Sequence, residues 1–123
     1  MTVIRAAEAP RFELPGAEFT ALAAPSRGSA GLCTWRLSVH PDRPEPEPHT
    51  LDQDEVFMVL SGTVRATPDG AELGPGDAVV VPAGEPIALV NTGSTAAELY
   101  VAIRAGFTGT MADGSTISPP WAQ

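Results

Sequence analysis

Between Glu47 and Val64 the chain reads EPHTLDQDEVFMVLSGTV, and this stretch holds the residues best suited to chemistry. His49 brings an imidazole, which titrates near neutral pH. Glu55 brings a carboxyl group at the start of an apolar run. Facing one cavity, an imidazole and a carboxyl group can pass protons to and from a substrate, or supply two donors to a metal ion. Val56 and Phe57 follow Glu55 at once, so its carboxyl group is expected to be partly buried, with a raised pKa unless a partner offsets the desolvation. The plainer readings are a strand-end acid in water for Glu55 and a loop histidine for His49. Glu45, Glu47, Asp52 and Asp54 read as a solvated acidic loop. Gln53 shares strand parity with Glu55, whereas Asp52 and Asp54 have the opposite parity. His40 ends the preceding strand and is expected to face away from the core.

Short strands must position these groups. Thirteen prolines and twelve glycines punctuate the chain and leave few segments that could hold a helix. LCTWRLSV places Cys33, Trp35, Leu37 and Val39 on one face and Thr34, Arg36 and Ser38 on the other, the period of a half-buried strand. EVFMVLSGTVRA reads as two strands joined by a turn at Ser61-Gly62. DAVVVPA reads as a short buried strand stopped by Pro82. PIALVNTG and AELYVAIRA are expected to pair across Asn91-Thr92-Gly93-Ser94. Further turn signals stand at Pro68-Asp69-Gly70, Gly74-Pro75-Gly76 and Ala83-Gly84. Only RAAEAPRFEL and EFTALAA are candidates for a helical turn. HPDRPEPEPH reads as a stiff extended loop between strands. In the tail, Phe107, Ile117 and Trp121 can anchor GFTGTMADGSTISPPWAQ to the body of the protein. Turns recurring every 8–12 residues or so indicate an all-β barrel or sandwich.

The 123 residues suit one domain with one core, and 43% apolar and 18% charged residues describe a globular chain. A net charge of −8, with arginine as the only strong base, disfavours nucleic acid and anionic membranes as partners. No apolar run reaches membrane-helix length and no secretory leader is apparent, so a cytoplasmic location is expected. The lone Cys33 cannot form an internal disulfide and reads as an inert core thiol. The Ala-, Gly- and Pro-rich composition points to a GC-rich bacterial source.

Two spaced patterns resemble those of the cupins, a superfamily of small jelly-roll barrels. The first family pattern is Gly, five residues, His-x-His, three or four residues, Glu, six residues, Gly. Here Glu55 and Gly62 match it, and His49 matches the first histidine, while Arg43 and Leu51 stand at the leading glycine and second histidine. The second pattern is Gly, five residues, Pro-x-Gly, two residues, His, three residues, Asn. GDAVVVPAGEPIALVN matches it at Gly76, Pro82, Gly84 and Asn91, with Ile87 at the histidine. The resemblance spans roughly residues 31–104 and implies an all-β, single-domain cupin-type jelly-roll β-barrel (a double-stranded β-helix). On that reading residues 1–30 join the barrel as strands and loops, 31–104 form its core, and 105–123 are a tail packed against it. Gly62, Gly76 and Gly84 are expected to supply turn conformations that a side chain would strain.

In the family, three imidazoles and one carboxylate bind iron, manganese, nickel or zinc. This chain keeps His49 and Glu55 and places Leu51 and Ile87, which have no lone pair to donate, at the other two positions. The reading is therefore a small-molecule-binding cupin, probing its ligand with His49 and Glu55 as the catalytic or polar pair and needing no cofactor. Catalysis on that reading is proton transfer, such as an isomerisation or cyclisation. Two alternatives stay open: a divergent metal-dependent oxygenase or isomerase built on His49 and Glu55, and a non-catalytic ligand-binding or sensor protein. Trp35, Gln53, Phe57, Val59, Ile87, Leu89 and Asn91 are the expected pocket residues, with core packing as the alternative for the apolar ones and turn tethering for Asn91. The strand VFMVL has no polar face, and cupins commonly pack such sheets together, so a homodimer is expected.

Overall fold

In the computed structural model, residues 1–68 and 70–123 are described. Asp69, within the turn expected at Pro68-Asp69-Gly70, lies outside the described residues. The chain forms strands β1 (Arg11–Leu14), β2 (Ala17–Ala21), β3 (Leu32–Val39), β4 (His49–Leu51), β5 (Glu55–Ser61), β6 (Val64–Thr67), β7 (Glu72–Leu73), β8 (Ala78–Val81), β9 (Ala88–Asn91), β10 (Ala97–Arg104), β11 (Gly109–Met111) and β12 (Thr116–Ile117). The only helical pieces among them are single 3-10 turns at Pro25–Arg27 and Pro120–Ala122.

One wall is a six-stranded antiparallel sheet in the order β1-β2-β3-β10-β5-β8. Its inner face is built by alternation: Cys33, Trp35, Leu37 and Val39 of β3, and Ala97, Leu99, Val101 and Ile103 of β10, are buried, while the residues between them turn outward. The opposite wall consists of two three-stranded sheets, β12-β11-β4 and β7-β6-β9. They are zipped together by an antiparallel bridge in which His49 and Ile87 exchange main-chain hydrogen bonds of 3.1 and 2.9 Å. The two walls enclose one apolar core, which makes the all-β jelly-roll barrel.

Several local expectations give way to this topology. β5 and β6 flank the Ser61-Gly62 turn but do not pair; β5 lies between β10 and β8, and β6 between β9 and β7. β9 and β10 likewise lie in different sheets. A turn signal marks where the chain reverses, and in a jelly roll the reversal carries it to the opposite wall. Of the two segments named as candidates for a helical turn, the first makes a hydrogen-bonded turn over residues 5–9, where the Glu8 amide donates to the Arg5 carbonyl (3.0 Å) and the Ala9 amide to the Ala6 carbonyl (3.4 Å). The rest of both goes mainly into the β1–β2 hairpin, because all of β2 pairs with β3, from Ala17 opposite Val39 to Ala21 opposite Trp35. That tertiary pairing overrides the helix propensity of Ala and Glu. β8 is an edge strand, not a buried one, and its Val80 is 59% exposed. Gly62, Gly76 and Gly84 adopt φ of 77°, 88° and 85°, the left-handed region expected of them.

Candidate functional site

A cavity of about 370 Å³ opens between the two walls. Phe19 of β2, Trp35 and Leu37 of β3, and Glu55 and Phe57 of β5 line it from the large sheet. The smaller sheets supply His49 and Leu51 of β4, Ala88 and Leu89 of β9 with the adjoining Ile87, Met111 of β11 and Ile117 of β12. Phe107 and the tail residues Pro119 and Trp121 complete one side; the β1–β2 turn and the proline-rich loop from Arg43 to Glu47 edge the mouth.

The aromatic side is firmly built. Trp121 stacks on Phe19 at 3.8 Å between ring centroids and 12° between planes, and meets Trp35 edge-on at 6.3 Å. Arg27 holds the tail in place, donating from Nε to the Leu22 carbonyl (2.7 Å) and from Nη2 to the Trp121 carbonyl (2.9 Å). The tail is thus a wall of the cavity, a role that depends on Arg27, distant from it in the chain.

Glu55 opens β5 with its side chain turned inward and is only 4% exposed. Among the described residues its Oε1 has no hydrogen-bond partner and no cation pairs with the group. Burial alone therefore pushes its pKa up to about 8. At neutral pH Glu55 is mainly a carboxylic acid, able to donate a proton. His49 moves the opposite way. Burial lowers its pKa, the Glu47 main-chain carbonyl pulls it back up, and the Arg43 charge lowers it further. Its imidazole is mainly neutral at pH 7. Both side chains face one cavity, but no hydrogen bond joins them and neither perturbs the other's titration. No partner offsets the burial of Glu55, so desolvation acts on each group separately and leaves a neutral acid and a neutral base.

The His49–Ile87 bridge fixes where the remaining family ligand positions lie. Directly opposed residues in an antiparallel pair project side by side, so Ile87 stands next to His49. Leu51 lies on the same face two residues along β4. The positions that would complete a four-donor metal site hold two aliphatic side chains against the cavity. Among the described residues no three His, Cys, Asp or Glu side chains group closely enough to hold an ion. The donor set present does not fit the family's metal. Asp52 and Asp54 are occupied elsewhere: Asp52 accepts the Thr108 amide at 2.8 Å and Asp54 the Ala83 amide at 2.9 Å, so both act as local ties. His40 is exposed, and its amide donates to the Gly16 carbonyl.

Of the expected pocket residues, Trp35, Phe57, Ile87 and Leu89 reach the cavity, and Gln53, Val59 and Asn91 do not. Gln53 lies in the bend between β4 and β5, outside the strand alternation that would have turned it inward. Val59 packs in the core beyond the cavity. Asn91 is consumed as a tether, its Nδ2 donating to the carbonyls of Val39 (2.9 Å) and Thr95 (2.8 Å) and its Oδ1 accepting the Gly93 amide (2.8 Å). Sequence reasoning missed Arg43, Phe19 and Met111 as lining residues. Phe19 had a legible signal in the alternation of AEFTA; Arg43, inside a proline-rich loop, had none.

Residues 35–103 match the family described as Cupin domain. No curated protein matches the chain. The fold is similar to that of the polyketide cyclase RemF from Streptomyces resistomycificus, with a TM-score of 0.72, 20% identity, and coverage of 85% of this chain and 79% of that one. It is also similar to a cupin-superfamily sugar phosphate isomerase from Silicibacter pomeroyi, with a TM-score of 0.70, 19% identity, and coverage of 90% and 82%. An RmlC-like cupin from Ralstonia eutropha gives a TM-score of 0.74, 11% identity, and coverage of 97% and 78%. At these identities the likeness is one of fold.

Proposed function

The chain belongs to the cupin family, and on that premise we propose that it binds a small organic molecule in its barrel and acts on it by proton transfer without a metal. One observation carries the reading. A buried, protonated Glu55 and a neutral His49 line the same largely apolar cavity, while Leu51 and Ile87 occupy the positions of the missing ligands. An acid and a base whose surroundings drive their pKa values in opposite directions are suited to concerted proton transfer. For a ketone with an acidic α-hydrogen, His49 takes the proton from carbon as Glu55 gives its proton to the carbonyl oxygen. The products are an enol, an imidazolium and a carboxylate, and return of the protons restores all three groups. The cyclase and isomerase among the similar folds are compatible with such chemistry, although their likeness extends to fold alone.

The test is hydrogen–deuterium exchange at the ring methylene next to the carbonyl of 2-tetralone, followed by NMR in D2O on chelator-treated protein. Acceleration is expected, with roughly a hundredfold loss in His49→Ala and a clear loss in Glu55→Gln. Exchange that vanishes on chelation and returns with iron, manganese, nickel or zinc overturns the metal-free reading. Binding of the ketone with no exchange overturns catalysis and leaves a ligand-binding barrel.

A further inference from the structure

The cavity has a cationic element outside the acid–base pair. Arg43 comes from the proline-rich loop, is half-buried, and lines the cavity mouth. Its backbone is held from two sides. Its amide donates to the His40 carbonyl, whose own amide donates to the Gly16 carbonyl of the β1–β2 turn. Gly16 lies so close that a Cβ there would stand 2.6 Å from the Arg43 Cα. A side chain on so well-seated a backbone would be expected to find a partner, yet among the described residues its guanidinium has none. The ion pairs among the described residues are Arg11–Glu18 and Arg36–Glu98. Glu45 and Glu47 also line the mouth, but both are exposed to solvent and neither lies within ion-pairing distance. Burial without an acid lowers the Arg43 pKa, and its charge is felt at His49. The group is thus a half-buried guanidinium beside the imidazole, unpaired among the described residues and facing an aromatic cavity.

We propose that the cavity takes a flat, mainly apolar carboxylate and that Arg43 holds its acidic group beside His49. The planar fork of the guanidinium matches a carboxylate through two parallel hydrogen bonds. Trp35, Phe57, Phe107 and Trp121 offer faces and edges to a ring. A singly charged group suits the site better than a phosphate dianion, which Glu45 and Glu47 at the mouth would repel. The proposal rests on the small-molecule reading of the cavity and adds the ligand class and its anchor.

Two probes of nearly the same shape test it by isothermal titration calorimetry: 2-naphthoate and its neutral counterpart 2-naphthamide. The native protein should bind the carboxylate roughly tenfold or more tightly than the amide. In Arg43→Gln the difference should disappear while the amide binds as before, which also reports an intact cavity. Arg43→Lys should keep part of the preference. Equal affinities in the native protein, or a preference that survives Arg43→Gln, overturn the anchor but leave the pocket standing. Failure of both probes to bind overturns the pocket reading as well. NMR of the native protein gives a readout that needs no variant. The charged or ionisable groups around the His49 imidazole are Arg43, Glu45 and Glu47 from the loop and Glu55 from β5. Naphthoate should raise the His49 titration midpoint and naphthamide should leave it in place; no shift with either overturns the proposal.

Discussion

At the scale of single residues, the site is governed by desolvation. Glu55 goes from an ordinary pKa of 4.5 to about 8 because burial desolvates its carboxyl group. The unfolded chain ionises this group above pH 4.5, whereas the folded protein keeps it protonated until about pH 8. The folded state therefore binds more protons in that window, and the contribution of Glu55 to stability falls as pH rises through it. In Glu55→Gln this fall should vanish, leaving the variant more stable than the native protein above pH 8 by roughly 2 kcal/mol or more. Denaturant titrations across pH check this, and a carbon-13 midpoint for Glu55 near 4.5 would refute it. His49 has the opposite slope. Its pKa is lowered from 6.5, so its contribution is present above pH 6.5 and is lost as pH falls through the folded value. Arg43→Gln removes one cause of that lowering, so the His49 midpoint measured by proton NMR should move up. A midpoint unmoved or lowered counts against the charge coupling.

At the scale of elements, the loop and the tail shape the cavity as much as the strands do. The β1–β2 turn depends on Gly16, at φ 73°, with the Arg43 backbone packed directly against it. Gly16→Ala adds a Cβ both to a left-handed backbone and to an occupied space, and should cost about 2 kcal/mol of stability. It should also displace the loop that carries Arg43, so 2-naphthoate binding should weaken more than 2-naphthamide binding. Denaturation midpoints and calorimetry check the two parts separately. On the opposite side, Trp121→Ala removes the partner stacked on Phe19 and should destabilise the protein by roughly 2 kcal/mol. It should also weaken both probes alike, because it opens the aromatic wall and leaves the guanidinium in place; a loss confined to the carboxylate would contradict that assignment.

At the scale of the whole molecule, the outer face of the large sheet is incompletely covered. Met58 and Leu60 of β5, Val80 of β8 and Tyr100 of β10 are 37%, 41%, 59% and 38% exposed. Met58 lies opposite Tyr100 across the β5–β10 ladder, and Val56 opposite Val80 across β5–β8, so the patch is contiguous. A second copy packed sheet to sheet would cover it, and a homodimer is expected. Light scattering at micromolar concentration should give a dimer mass and Met58→Glu a monomer mass. A monomeric native protein refutes the expectation. Among the described residues no helix is long and apolar enough to cross a membrane.

Much of the fold was legible in the residues alone. The alternation of LCTWRLSV specifies which face of β3 is buried, because strand side chains alternate whatever the strand pairs with. The glycines at 62, 76 and 84 announce turns, because their left-handed backbone penalises other residues. The spacing of those glycines with His49, Glu55, Pro82 and Asn91 pointed to the cupin barrel, and Leu51 and Ile87 stood out as residues unable to bind metal. Pairing was not legible. β6 and β10 each leave a turn for the wall opposite the preceding strand, a choice made by burial of whole sheet faces that no local window contains. The state of the site was equally non-local. Glu55 is mainly uncharged at neutral pH because burial desolvates it, and His49 is neutral mainly through burial and partly because Arg43, from a loop that reads as solvated, lies near it. Charge and solvation depend on distances between residues far apart in the chain, and only the folded structure sets those distances.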